Sequence, residues 1–279
     1  MPLKRNLLIV LFILFALSFL VCVFLIGQYF WESAQSQQVY NELASLVEDA
    51  KVTEPVIPAD PQAPTEPPAE PPSPYVEVSH PETGETIQVL REYAEVFIRN
   101  PDLIGWLKID GTVINYPVMQ TIDAPNYYLK RDFYGNYSAH GCLYAQENCN
   151  VLAPSDNITI YGHNMKDGSM FAGLFNFASK AFWQEHRYIT FDTITQRRTY
   201  EVFAVFDTTA SEGQGFAYHS FVDAYTQEHF DWFVNTCRQL SYYDTGVTAN
   251  FGDSFITLST CEYTQANGRL VLVAKLVEE

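Results

Sequence analysis

The chain is short of basic residues. Sixteen lysines and arginines stand against 33 aspartates and glutamates in 279 residues, a net charge of −17. A face that binds phosphates must be basic, so nucleic acid is excluded as a partner. No CxxC, HExxH or EF-hand loop occurs, and the acids are scattered over what read as solvated faces. The usual sequence grounds for a zinc or calcium site are therefore missing, and neither metal nor cofactor is expected. Cysteine is scarce, with five in all. Cys22 lies in an apolar run, which leaves Cys142, Cys149, Cys237 and Cys261. Cys142 and Cys149 are close enough in the chain to pair in an oxidising compartment, or each is a small buried apolar residue; spacing does not decide. Proline is nearly confined to one place, nine of fifteen falling between Pro55 and Pro74. No internal repeat is evident.

What is present begins with Leu7 to Ile26, where only Ser18 and Cys22 interrupt hydrocarbon character. As a helix this run reaches roughly 30 Å, the hydrocarbon thickness of a bilayer. A cleaved signal peptide would have a shorter apolar core and a small-x-small cleavage site, whereas this run continues into Gln28-Tyr29-Phe30-Trp31. It reads as an uncleaved single-pass anchor. Lys4 and Arg5 before it place the N-terminus in the cytoplasm and everything from Glu32 outside the cell. From Glu32 to Leu90 there are eleven acids and one base, Lys51, so this part is not drawn to anionic lipid. Trp31 to Lys51 reads as a polar helix with Tyr40, Leu43 and Val47 at helical spacing. The proline-rich stretch that follows reads as an extended spacer. The expected organisation is an anchor over 1–31, an acidic, proline-rich stalk over 32–84, and a globular domain over 85–279, with the boundary near Glu85.

The domain is rich in strand signals. Two short runs flank Asp110-Gly111, a hairpin signature. Further strands are expected over Cys142–Ala145, Asn157–Tyr161, Tyr188–Asp192, Thr199–Asp207, Ser254–Cys261 and Arg269–Leu276, making eight. Helical patterns cover Glu85–Arg99, Ser169–His186 and Phe221–Leu240, the last with Phe230, Phe233, Val234 and Cys237 on one face. Strands dominate and helices are interspersed, which predicts a mainly β fold, a barrel with helical insertions, over a βαβ sheet.

The segment TLSTCEYTQANGRLVLVAKL, Thr257 to Leu276, carries the chemistry. Thr257, Ser259 and Cys261 alternate with Leu258 and Thr260, and Arg269, Val271 and Val273 alternate with Leu270 and Leu272. If the two runs pair antiparallel, Cys261 ends one strand at the rim where Arg269 begins its neighbour, about 4.8 Å away. A guanidinium there stabilises a thiolate, and also the negative charge that grows on a carbonyl under attack. A cysteine nucleophile also needs a histidine. His80 lies in the spacer, while His140, His186, His219 and His229 lie in polar segments that read as surface. His163 ends the alternating run ITIYGH, sharing a face with Thr159 and Tyr161, and Gly162 before it is read as a sharp turn. By itself such a histidine is more often structural. Cys261 and Arg269 at equivalent strand ends favour a catalytic reading.

TLSTC with an arginine on the next strand, and YGHN upstream, resembles the sortases, membrane-anchored cysteine transpeptidases of Gram-positive surfaces. The wording TLSTCEY, the segments NPDLIGWLKIDGTVINYPVMQ and YYLKRDFYGNYSAHG, and a long helix before the cysteine strand point to class B. The resemblance covers roughly Glu85 to Leu276. It implies a closed eight-stranded barrel with an N-terminal helix, preceded by the transmembrane helix. It also implies Cys261 as nucleophile, His163 as general acid/base and Arg269 as the group supporting the oxyanion, with Tyr161 and Ser259 as weaker substrate contacts. The activity implied is cleavage of an NPxTN- or xPxTG-like C-terminal sorting motif after threonine through a thioester. The partners implied are surface proteins bearing that signal and an amine of a peptidoglycan precursor or cross-bridge.

Other readings are a pilin-polymerising enzyme with a lysine acceptor, a cysteine endopeptidase, or a non-enzymatic anchored surface protein. The last would end in a sorting motif, an apolar span and a basic tail, whereas this chain ends LVLVAKLVEE. His80-Pro-Glu-Thr-Gly84 has the x-Pro-x-Thr-Gly form and reads either as coincidence in a biased spacer or as a pseudosubstrate.

Overall fold

A computed structural model describes residues 2–52, 73–211 and 213–278. The expected proline-rich spacer, apart from Ser73 and Pro74, lies outside the described residues. The first element, α1 (Pro2–Val52), is one continuous helix whose apolar first half is exposed along its length. That half is long and apolar enough to cross a bilayer. Its second half buries Ser33, Ser36, Tyr40, Leu43 and Val47, a three-four spacing that lines up one stripe on a helix. The stripe packs on α2 (Arg91–Arg99) and on the barrel strand β4 (Asn115–Met119). Tyr40 meets Tyr116 edge-on at 5.3 Å, and Arg99 Nη1 donates to Glu42 at 2.9 Å. Residues 33–47, read from the sequence as the start of a stalk, are thus part of the folded body. The periodicity showed the apolar face but not what covers it.

A second departure precedes α2. Residues β1 (Tyr75–Ser79) and β2 (Thr86–Leu90) form an antiparallel hairpin, so the boundary expected near Glu85 falls inside a folded element. The helix expected from Glu85 begins only at Arg91, because Thr86–Leu90 pairs with a strand whose alternation the neighbouring prolines obscure. The hairpin's turn is the His80–Gly84 stretch. Gly84 N–H donates to the His80 carbonyl at 2.9 Å, the Glu82 amide donates to His80 Nδ1 at 3.2 Å, and Gly84 has φ 73.

The remaining strands are β3 (Leu103–Lys108), β4, β5 (Leu143–Ala145), β6 (Asn157–Tyr161), β7 (Tyr188–Thr193), β8 (Thr199–Thr209), β9 (Phe255–Glu262) and β10 (Gly268–Glu278). They close into an eight-stranded barrel in the order β10-β8-β7-β3-β4-β5-β6-β9. Two contacts are parallel, β4 with β5 and β6 with β9; the others are antiparallel. The Asp110-Gly111 pair lies in a longer connection than a two-residue turn, since the ladder closes at Lys108 opposite Asn115. The helix expected over Ser169–His186 divides into a 3-10 segment, Phe171–Ala178, and α3 (Lys180–Glu185), whose N-cap Ser179 accepts from the Phe182 amide. The last expected helix starts later, as α4 (Gln227–Leu240), capped by the Thr226 side chain on the His229 amide.

Strand alternation sorts the core into two layers. Ile158, Ile160, Ile256, Leu258, Leu270 and Leu272 point into the barrel with at most 1 % exposure. The opposite faces of β8, β9 and β10 present Phe206, Phe255, Val271 and Val273 outward, where α4 covers them with Phe230, Phe233, Val234 and Cys237. Phe221, ahead of α4, stacks on Phe233 with ring centroids 4.0 Å apart. The outer face of β9 is therefore closed over Phe255, Thr257 and Ser259 and opens at the partly exposed Cys261, toward its C-terminal end.

Candidate active site

That open end carries the sequence-predicted residues. In the β9–β10 ladder Cys261 is directly opposite Arg269, and Ser259 is opposite Val271. The connection between the strands is residues 263–267, with Asn267 at φ 52 making the left-handed step beside Gly268. Parallel pairing of β6 with β9 puts Tyr161 beside Ser259. The Gly162 amide then donates to the Ser259 carbonyl at 3.2 Å, and Asn164 Nδ2 donates to the Cys261 carbonyl at 3.2 Å. His163 lies between those two anchored residues, so the chain is stitched to β9 on both sides of the imidazole at the level of Cys261. Cys261, His163 and Arg269 are each partly exposed.

Gly162 serves a different purpose from the one expected. Its backbone is not left-handed; a Cβ there would lie 2.5 Å from Leu143 Cδ2 and 2.7 Å from the Phe171 ring. Glycine is needed for close approach, which lets the β6 end sink against the barrel before His163 emerges.

His163 Nε2 lies 2.7 Å from the Leu129 carbonyl oxygen. A carbonyl only accepts, so this nitrogen carries a proton and Nδ1 is the one free to exchange. The acceptor belongs to the 3-10 turn Tyr127–Lys130. Arg269 Nη1 donates to the Gly268 carbonyl at 2.9 Å, which holds the guanidinium at the start of β10.

Three tyrosines that the sequence did not single out surround the pair. Burial, together with the negative charge of a Cys261 thiolate, pushes the Tyr144 hydroxyl up to about 12, with Arg269 opposing. Tyr218 is also raised by burial, eased by the Ser259 hydroxyl and the Arg269 charge, while Cys261 raises it further. Tyr263 is raised first by burial and then by Cys261, with Arg269 opposing. Tyr218 and Ser259 share a hydrogen bond of 2.6 Å, and Tyr161 O–H donates to Gln146 Oε1 at 3.3 Å with its ring 5.5 Å from Tyr144. Tyr161 is thus partly exposed beside the cysteine strand, whereas Ser259, expected as a substrate contact, is 1 % exposed and closed off by Tyr218. Tyr218 carried no local signal, being 41 residues from Ser259. Asn164 was within reach of sequence reasoning, as the last letter of YGHN.

The other cysteines outside α1 behave differently. Cys142, Cys149 and Cys237 are buried free thiols, so the first two do not pair. Burial pushes Cys142 up to about 12 and Cys149 up to about 11, and raises Cys237. Thiolate character is the requirement for nucleophilicity, and burial in apolar surroundings denies it to these three. His140 corrects another expectation: it is 1 % exposed, buried beneath α1 instead of at the surface. Among the described residues no group of three His, Cys, Asp or Glu could hold a metal ion.

A family model described as the sortase domain matches residues 107–277. Sortase B of Listeria monocytogenes is 34% identical over 197 residues, spanning 70% of this chain and 76% of the relative. Sortase B of Staphylococcus aureus is 28% identical over 181 residues, spanning 64% and 72% respectively. The crystal structure of Bacillus anthracis sortase B in complex with AAEK1 superposes with a TM-score of 0.67 at 27% identity, over 90% of this chain and 100% of that one.

Proposed function

Since the chain belongs to the sortase family and is a sortase B-type cysteine transpeptidase, we propose that Cys261 is its nucleophile, His163 its general acid/base and Arg269 its oxyanion support. The observation that carries this assignment is the ladder register: Arg269 opposite Cys261, with the His163 backbone tied to β9 at the same level. The contrast among the four cysteines outside α1 supports it: Cys261 is partly exposed and paired with Arg269 in the ladder, whereas Cys142, Cys149 and Cys237 are buried.

In this mechanism the Cys261 thiolate attacks the carbonyl carbon of the motif threonine, forming a C–S bond and a tetrahedral oxyanion that Arg269 faces. Collapse breaks the C–N bond, and the departing amine takes a proton from the His163 imidazolium. An acceptor amine then attacks the thioester, giving its proton to His163 as the thiolate leaves. The same imidazole thus acts as the acid in the first half-reaction and as the base in the second. Nε2 stays bound to the Leu129 carbonyl throughout, and Nδ1 carries the proton traffic.

The substrate is a protein bearing an NPxTN- or xPxTG-like motif, and the acceptor is a cell-wall amine. The exposed apolar half of α1 anchors the enzyme in the membrane with the barrel outside. A pentapeptide library of both motif types, incubated with the full-length chain in detergent with and without triglycine, tests this. Mass spectrometry is expected to show cleavage after threonine, a thioester on Cys261, and an amide to triglycine when it is present. Arg269→Ala should lose about 10²–10³ in rate, the usual cost of an oxyanion donor. Transpeptidation by Cys261→Ala at the wild-type rate would end the assignment.

A further inference from the structure

The loop that follows His163 is held by a partly buried polar cluster that the mechanism does not use. Residues Asn164 and Met170 bridge its two limbs, and the Phe171 amide donates to the His163 carbonyl at 2.8 Å. Asp167 stands at the apex. Its Oδ1 accepts from the Ser169 amide at 3.0 Å and hydroxyl at 2.6 Å. Its Oδ2 accepts from the Ser33 hydroxyl of α1 at 2.5 Å and meets His140 Nε2 at 2.8 Å. A carboxylate oxygen accepts, so His140 Nε2 bears the hydrogen in this contact. Burial alone would push the Asp167 carboxyl up, but the hydrogen bonds from Ser169, Ser33 and His140 hold it below the usual range.

His140 also connects this cluster to the acceptor of the catalytic imidazole. The next residue, Gly141, passes so close to the Tyr127–Lys130 turn that a Cβ on it would sit 2.5 Å from the Leu129 oxygen and 2.8 Å from the Tyr128 oxygen. The Cys142 amide donates to the Tyr128 carbonyl at 3.0 Å, and the Tyr40 hydroxyl of α1 donates to the Gly141 carbonyl. The hydrogen bond from His163 to Leu129 thus has its donor on a loop tied to α1 through Asp167. Its acceptor lies on a turn braced by residues 140–142, which α1 also holds.

We infer that Ser33, His140 and Asp167 are positioning residues that make the His163 geometry depend on the docked membrane-proximal half of α1. The inference rests on the reading of His163 as the acid/base. It assigns α1 a task beyond tethering: the helix that enters the apolar span also closes the clamp that aims the imidazole. Loosening the clamp leaves the β9–β10 ladder around Cys261 intact and lets His163 sample other rotamers, so it acts on kcat and leaves KM alone.

The test uses the full-length chain in detergent and the fastest-cleaved peptide of the library. Ser33→Ala and Asp167→Asn are each expected to lower kcat at least fivefold with KM within twofold of wild type, and Ser33→Thr to retain more than half of the activity. The pH dependence of Cys261 alkylation by iodoacetamide, followed by peptide mapping, gives a readout without substrate. Its midpoint should move in Asp167→Asn, because the imidazole paired with the thiol is no longer fixed. If Asp167→Asn fails to fold, Ser33→Ala, which removes one oxygen, still decides. A kcat within twofold of wild type in Ser33→Ala, with an unmoved alkylation profile, overturns the inference. Retained activity in His163→Ala would instead remove the catalytic reading beneath it, so the two failures are distinguishable.

Discussion

Replacing Leu43 by alanine tests whether α1 is a tether or part of the enzyme's body. Leu43 is 0 % exposed at the centre of the stripe formed by Ser36, Tyr40 and Val47. Returning a buried leucine's surface to water costs about 1.5–3 kcal/mol. The void left against α2 and β4 adds to this, for a usual total of about 2–5 kcal/mol. Alanine's better helix propensity returns only a few tenths. Helix and barrel are both stiff here, so the site cannot collapse much, and a loss of about 3 kcal/mol is expected. For a folded body of this size each kcal/mol moves the midpoint by roughly 2–4 °C. Thermal unfolding of the full-length chain in detergent, followed by near-UV circular dichroism, should therefore show a drop of about 6–12 °C. Asn41→Ala, on the exposed side of the same turn, is the control and should stay within about 0.5 kcal/mol. A Leu43→Ala midpoint indistinguishable from that control would refute the packing argument and return the helix to the status of a stalk.

Two further outcomes follow from the same contacts. Tyr218→Phe strips the partner from a Ser259 hydroxyl that is 1 % exposed, and should cost about 1–3 kcal/mol in urea unfolding with an unchanged m-value. Adding Ser259→Ala should recover part of that loss, so strictly additive effects in the double variant would argue against the bond. Asp167→Asn should destabilise the protein at neutral pH, and the difference should fade in acid. The folded carboxyl is held below its ordinary value, so its contribution is present above the unfolded range, about 4, and disappears as pH falls through the folded value. A wild-type-to-variant gap that widens below pH 4 would contradict that sign.

Much of this was legible in the chain, and the parts that were not share a cause. The eight barrel strands announced themselves by alternation, because period two with β-branched residues is local information. The stripe of Tyr40, Leu43 and Val47 was equally plain, yet it disclosed an apolar face and not its occupant. Tyr75–Ser79 was obscured by the prolines before it, and Thr86–Leu90 was drawn into the helical pattern of α2. His140 looked like a surface residue in a polar segment, since nothing in its neighbours shows that α1 passes over it. The candidate triad was identified by strand ends and by resemblance. The groups that hold it, Leu129, Asp167 and Tyr218, had no such mark.

By itself the sequence determined the elements that depend on near neighbours: the apolar span, the strand faces that put Ser259 with Cys261, and the turn that brings Arg269 back beside them. Only the tertiary structure decided which distant segments meet. Parallel pairing of Asn157 with Phe255, close to a hundred residues apart, carries His163 to the cysteine strand. The docking of α1 likewise joins Ser33 to Asp167 across 134 positions. The physical reason is that periodicity records which side of an element avoids water, whereas the identity of the covering surface is settled by packing and hydrogen-bond satisfaction over the whole chain.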